Sequence, residues 1–160
     1  VTGIGDYTFW YCSGLTNISL PDTITRFGVD TFFGCDQLPP ILFSTGGKIL
    51  FCYSYLNTAT DYSIPEGVTT IADGAFAFCD ILTNITIPES LTRIGDYAFW
   101  ECSDLTEVYF QGDAPEVGEE IFTDDPLLYY LAGASGWTTP TWNGYRTAIW
   151  GPEEPPALCF

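Results

Sequence analysis

VTTIADGAFAFCDILTNITIP, residues 68–88, sets the fold once it is laid along the rest of the chain. Moved 23 residues toward the C-terminus, it falls on LTRIGDYAFWECSDLTEVYF, residues 91–110, with Ile71 over Ile94, Phe76 over Phe99, Cys79 over Cys102 and Leu82 over Leu105. The same step carries Ile4, Phe9, Cys12 and Leu15 onto Phe27, Phe32, Cys35 and Leu38. A fixed period of this size marks a solenoid, in which each repeat buries its apolar side against its neighbours.

Within one coil, I-G-x-x-x-F-x-x-C, as in Ile94 to Cys102, spaces its apolar groups irregularly, as a short helix or a turn does. L-x-x-I-x-I-P, as in Leu82 to Pro88, alternates with period two, the pattern of a short strand. Pro21, Pro65 and Pro88 end these strands because proline has no N–H for the ladder. One short parallel strand per coil then builds a long sheet along one side. The expected class is an α/β solenoid of about six coils, occupying residues 1–125.

Residues 41–67 form a variant coil inside this array. ILFSTGGKILFCYSY, residues 41–55, reads as strand, Gly-Gly turn, strand, with Tyr53 at the phenylalanine position and Leu56 at the cysteine position. After Phe110 the period carries Val117 and Phe122 into place before Asp125 takes the cysteine position. The aromatic, Gly- and Pro-rich residues 126–150 read as a C-terminal cap, since an open solenoid needs its last coil covered. GPEEPPALCF, residues 151–160, reads as an extended Pro-rich tail.

A chain that is 46% hydrophobic and 17% aromatic folds, while 21 acidic against 4 basic residues leave it with a net charge of −17. That charge repels phosphate backbones and anionic headgroups, so neither nucleic acid nor membrane insertion is expected, and cationic partners suit it better. No run approaches the roughly 18 apolar residues of a membrane-spanning helix. The chain holds no Met and Val1 enters in repeat phase with no N-terminal cap, so a processed chain or a piece of a longer array is expected.

Cys12, Cys35, Cys79 and Cys102 share one repeat position and are expected to stack as a buried ladder of small apolar groups. Coils about 4.8 Å apart would also permit an occasional bridge. Cys52 and Cys159 lie off the ladder, as a pair or as free thiols, and the absence of a C-x-x-C gives no zinc motif.

IGDYAFWEC and LTNITIP resemble the BspA-like leucine-rich repeats, a family of 23-residue repeats of bacterial surface and secreted proteins that also occurs in some parasitic protists. The resemblance covers residues 1–35 and 59–125; residues 41–67 are similar to a variant coil of that family, and LLYYLAGASGW through RTAIW to an ending seen after such repeats. It implies a right-handed solenoid, secreted or displayed at the cell surface, that adheres to or binds a protein or glycan on another cell or on matrix.

Two lanes of strand residues are expected to face outward and touch such a partner: Asn17, Asp61, Asn84 and Glu107 in one, Ser19, Ser63, Thr86 and Tyr109 in the other. The alternative is that they only keep an exposed sheet soluble. Asn17-Ile18-Ser19 and Asn84-Ile85-Thr86 are N-glycosylation sequons, and a glycan there would block this face. The absence of His removes His-dependent triads and metal sites, and no motif singles out a carboxylate pair, so no enzyme and no cofactor are expected. Asp113, Glu116, Glu119, Glu120, Asp124 and Asp125 match no calcium loop and read as a solvated acidic patch, with no metal site. Trp137, Trp142, Tyr145 and Trp150 read as the core of the cap or as a platform for sugars. A second functional expectation is structural, with the uncapped first coil docking head-to-tail on the C-terminal end of the next copy to grow a filament.

Overall fold

The computed structural model describes residues 2–28 and 30–151; Cys159 and the tail beyond Gly151 lie outside the described residues. The strands are β1 (Gly3–Ile4), β2 (Arg26–Phe27), β3 (Ile41–Phe43), β4 (Ile49–Tyr53), β5 (Asp61–Ser63), β6 (Thr70–Ile71), β7 (Asn84–Ile87), β8 (Arg93–Ile94), β9 (Glu107–Phe110), β10 (Glu116–Val117), β11 (Leu127–Leu131), β12 (Thr141–Trp142) and β13 (Tyr145–Trp150). They form a solenoid of about six coils. One sheet runs β5-β7-β9-β11-β13 in parallel, with β12 antiparallel at its end. A second runs β4-β6-β8-β10 in parallel, and β1 and β2 pair by themselves.

The coils differ from the expected pattern in two ways. Each regular coil supplies two strands, because the two-residue I-G entry also pairs with its neighbours; Thr70 stands beside Arg93 and Arg93 beside Glu116. The helical component of the α/β class is also missing, since no described residue is helical. The I-G-x-x-x-F-x-x-C segment is a run of turns whose N–H groups donate to the next coil: Phe76 N to Ala98 O at 2.8 Å and Phe78 N to Trp100 O at 2.8 Å. Left-handed residues such as Phe78 (φ 64°) and Tyr97 (φ 55°) break any helical run.

The variant coil replaces one regular strand by a hairpin. β3 pairs antiparallel with β4, so β3 joins the second sheet, and the long sheet starts at β5. Pro39 and Pro40 occupy the positions of Thr16 and Asn17 in the first coil and cannot donate there. Residues 16–20 accordingly form no strand.

The core is a column of rings. Phe9 stacks on Phe32 at 5.4 Å, Tyr53 on Phe76 at 4.8 Å, Phe76 on Phe99 at 4.9 Å and Phe99 on Phe122 at 5.0 Å. Phe51 carries the column across the variant coil, 5.4 Å from Phe32. Leu56 does not fill the cysteine position of that coil; it is 52% exposed. Cys35, Cys79 and Cys102 are buried, whereas Cys12, expected in the same ladder, is exposed. Each of the three buried thiols donates to the carbonyl at the aromatic position one coil back: Cys35 to Phe9, Cys79 to Tyr53 and Cys102 to Phe76. The neighbouring Cys102 thiol, together with burial, pushes the Cys79 thiol far above its ordinary value, so Cys79 stays a neutral thiol packed as apolar filling.

The Gly of the I-G entry is fixed by the coil beneath it. Asp73 Oδ1 accepts Asp96 N at 2.9 Å, and a Cβ on Gly95 would lie 2.5 Å from Asp73 N and 2.8 Å from Ala72 C. Both neighbours are backbone and cannot swing aside. Gly95→Ala is expected to lower stability by about 1–3 kcal/mol, read from urea unfolding; an unchanged midpoint would mean the coils separate freely at this point.

Candidate functional site

The outward lanes are in register over the central coils. Asp61 stands beside Asn84 and Asn84 beside Glu107; Ser63 stands beside Thr86 and Thr86 beside Tyr109. Alternation puts Ile85, Ile87, Val108 and Phe110 into the core and these six residues on the other face. Asn17 and Ser19 are exposed but belong to no strand, so the structure does not bring them into the lanes.

The lanes are organised by their own hydrogen bonds. Asn84 Nδ2 donates to Asp61 Oδ1 at 2.7 Å, and Thr60 Oγ1 donates to Asp61 Oδ2 at 2.9 Å. These bonds, Asn84's first, hold the Asp61 carboxyl below the usual carboxylate range. Tyr109 donates its hydroxyl to Glu107 Oε2 at 2.6 Å. Burial and that carboxylate push the Tyr109 phenol well above its ordinary value, so it remains a donor at neutral pH.

Two members of this face are not apparent from the period. Tyr129 stands beside Tyr109, with the rings stacked at 4.9 Å, and Trp150 meets Tyr109 edge-on at 5.5 Å. The step from Glu107 to Leu127 is shorter than the repeat, which hides this register; the alternation in Leu127-Leu128-Tyr129-Tyr130-Leu131 is the signal that carries it. Trp150 thereby parts from the other cap aromatics. Trp142 is buried, Trp137 stacks on Tyr130 at 5.2 Å and packs 4.6 Å from Phe110, and Tyr145 meets Phe122 edge-on at 5.1 Å.

A family model described as a BspA type leucine rich repeat region matches residues 2–129 in six copies. The chain belongs to the BspA-type leucine-rich-repeat family. No curated protein matches it. Among solved structures, this BspA-type chain is similar to a leucine-rich repeat protein from Eubacterium ventriosum, at 24% identity and a TM-score of 0.60, over 84% of this chain and 41% of that one. A leucine rich cell surface protein from Faecalibacterium prausnitzii is matched at 22% identity and a TM-score of 0.32, over 91% of this chain and 54% of that one. The chain thus spans about half the length of these structures or less.

Two of the acidic residues near the last BspA-type coil, Asp113 and Asp125, are engaged separately. Asp113 accepts Ser135 N at 2.6 Å, and Asp125 accepts Arg146 Nε at 2.6 Å while its carbonyl accepts Nη2 at 2.7 Å. No group of three or more potential metal ligands converges among the described residues. Nor is any described helix long and apolar enough to cross a membrane. Of the two sequon asparagines, Asn84 uses its side-chain nitrogen within the sheet, and Asn17 is exposed.

Proposed function

We propose that this chain is a non-catalytic recognition or adhesion module, secreted or displayed at the cell surface, which binds a protein or glycan of another cell or of matrix through the outward face of its long sheet. The observation that supports this is the continuity of that face. Polar groups pre-set by hydrogen bonds at Asp61, Asn84 and Glu107 run into the aromatic group Tyr109, Tyr129 and Trp150. Rigid aromatics beside ordered polar groups are what a binding surface uses for anchoring and for specificity. Family membership supports the same reading, since leucine-rich repeats generally bind other proteins.

An array of matrix proteins and bacterial and host glycans, probed with the labelled chain, tests it. Asn84→Arg combined with Tyr109→Ala is expected to lower every specific signal by at least about tenfold, the worth of one hot-spot contact. Asp80→Ala, in an exposed turn off the sheet, serves as the control. Signals that survive the double substitution would remove the sheet face from the mechanism.

A second reading, head-to-tail self-association, draws on Tyr7, Trp10 and Tyr11, which lie more than half exposed on the first coil. Sedimentation at several concentrations decides it: a chain that stays monomeric throughout sets this reading aside.

A further inference from the structure

A cleft of about 520 Å³ opens where the variant coil interrupts the regular stack, among the turns around residues 27–39, 51–55, 73–78 and 96–100. None of the outward sheet residues lines it. Its volume is in the range of small-molecule sites. Phe33, Tyr55, Phe78 and Trp100 supply half-buried aromatic walls. Phe33 stacks on Tyr55 at 5.5 Å and meets Phe78 edge-on at 5.7 Å.

The polar lining carries one sign of charge. Asp6, Asp30, Asp36, Asp73 and Asp96 line the cleft, and no Lys or Arg does. Asp36 accepts the Tyr55 hydroxyl at 2.8 Å and so holds that ring, while Asp73 and Asp96 accept backbone N–H groups of adjoining coils. The Asp30 carboxylate meets no donor among the described residues, and burial raises its pKa. Tyr53 also borders the cleft, but its ring stacks on Phe76 in the core column and its hydroxyl is buried there, away from the opening. The Cys52 thiol in the same lining is pushed up to about 12 by burial and stays neutral.

We propose that this cleft binds an organic ammonium cation with a short apolar stem, the chemistry shared by a free alkylamine and a lysine side chain. The aromatic faces attract the cation through their quadrupoles, and desolvation strengthens that attraction. Carboxylates supply the countercharge, and the apolar floor takes the stem. The net charge of −17 raises the local concentration of cations at the mouth. A neutral molecule of the same shape would gain only the stem contacts.

The test is a titration of the isotope-labelled chain, followed by amide and indole NMR at constant ionic strength. The probes are n-butylammonium chloride, its neutral counterpart 1-butanol, and Nα-acetyl-lysine methylamide as the displayed form. Saturable shifts are expected at the Trp100 indole and at amides of residues 30–36 with an ammonium probe, with 1-butanol at least about tenfold weaker. Asp30→Asn is expected to weaken the ammonium probe about fivefold or more, and Phe78→Ala to abolish saturation. Tyr109→Ala, on the sheet face, should leave it unchanged. Saturation by butylammonium alone assigns a free amine, and saturation by the lysine derivative assigns a displayed side chain. Equal midpoints for 1-butanol and butylammonium, or no saturable shift with either ammonium, would overturn the proposal.

Discussion

Phe76→Ala is expected to lower the unfolding free energy by about 3–5 kcal/mol, the usual loss for removing a fully buried ring. The side chain is completely inaccessible and lies between Tyr53 at 4.8 Å and Phe99 at 4.9 Å. Its neighbours on either side are themselves anchored in the column, so they cannot close the space without shifting whole coils. Stability in such an array is roughly a sum of coil terms and neighbour interfaces, and Phe76 belongs to two interfaces at once. Phe9, at the start of the column, stacks on Phe32 and is only half-buried. Phe9→Ala should therefore cost about 1 kcal/mol. Urea unfolding of both variants checks the ratio, and equal losses would mean that the coils do not share their stability through the ring column.

The features legible in the sequence were those that repeat. Phe76, Cys79 and Leu82 recur at one spacing because every coil meets the next through the same inward positions, and the structure stacks them accordingly. The lanes through Asn84 and Thr86 were legible for the same reason. What escaped was local departure from the period. Arg93–Ile94 is a strand of two residues, too short for any alternation to show, and only its parallel neighbours make it one. Pro39 and Pro40 did announce that the long sheet could not continue through the second coil, but the fixed ruler carried Asn17 and Ser19 into the lanes regardless. Tyr129 and Trp150 were missed because the last coils are shorter than the period. The cleft has no linear signature, since its aromatic and acidic walls come from separate segments of successive coils that meet only in the folded chain.

Asp73 also escaped notice, although it is where the irregular coil is bridged. Its Oδ1 accepts Asp96 N one coil onward at 2.9 Å, and its Oδ2 reaches back over the variant coil to accept Phe27 N at 3.2 Å. β1 and β2 make their own small sheet and pair with no other described strand, so their coils are joined to the rest by ring contacts such as Phe27–Phe51 at 5.4 Å, by turn hydrogen bonds and by this carboxylate. Removing one hydrogen-bonding partner from two backbone donors costs more than the bonds themselves stabilise, because the donors lose solvation as well. Asp73→Ala is expected to speed hydrogen exchange of amides in residues 2–35 by about 30-fold, equivalent to about 2 kcal/mol of local opening, while those of residues 84–131 change little. The pH dependence has a definite sign. Burial raises the Asp73 pKa, with the Asp96 charge adding to it and the two backbone donors and Arg93 opposing. The folded chain then holds this proton more tightly than the unfolded chain, whose value is about 3.9. The contribution of Asp73 to stability is therefore fully present below that value and declines as pH rises through the folded pKa. The gap between wild type and Asp73→Ala should widen as pH falls from 7 toward 4. A gap that narrows over that range would show that the ionised carboxylate, and not its protonated form, is what the folded coils favour.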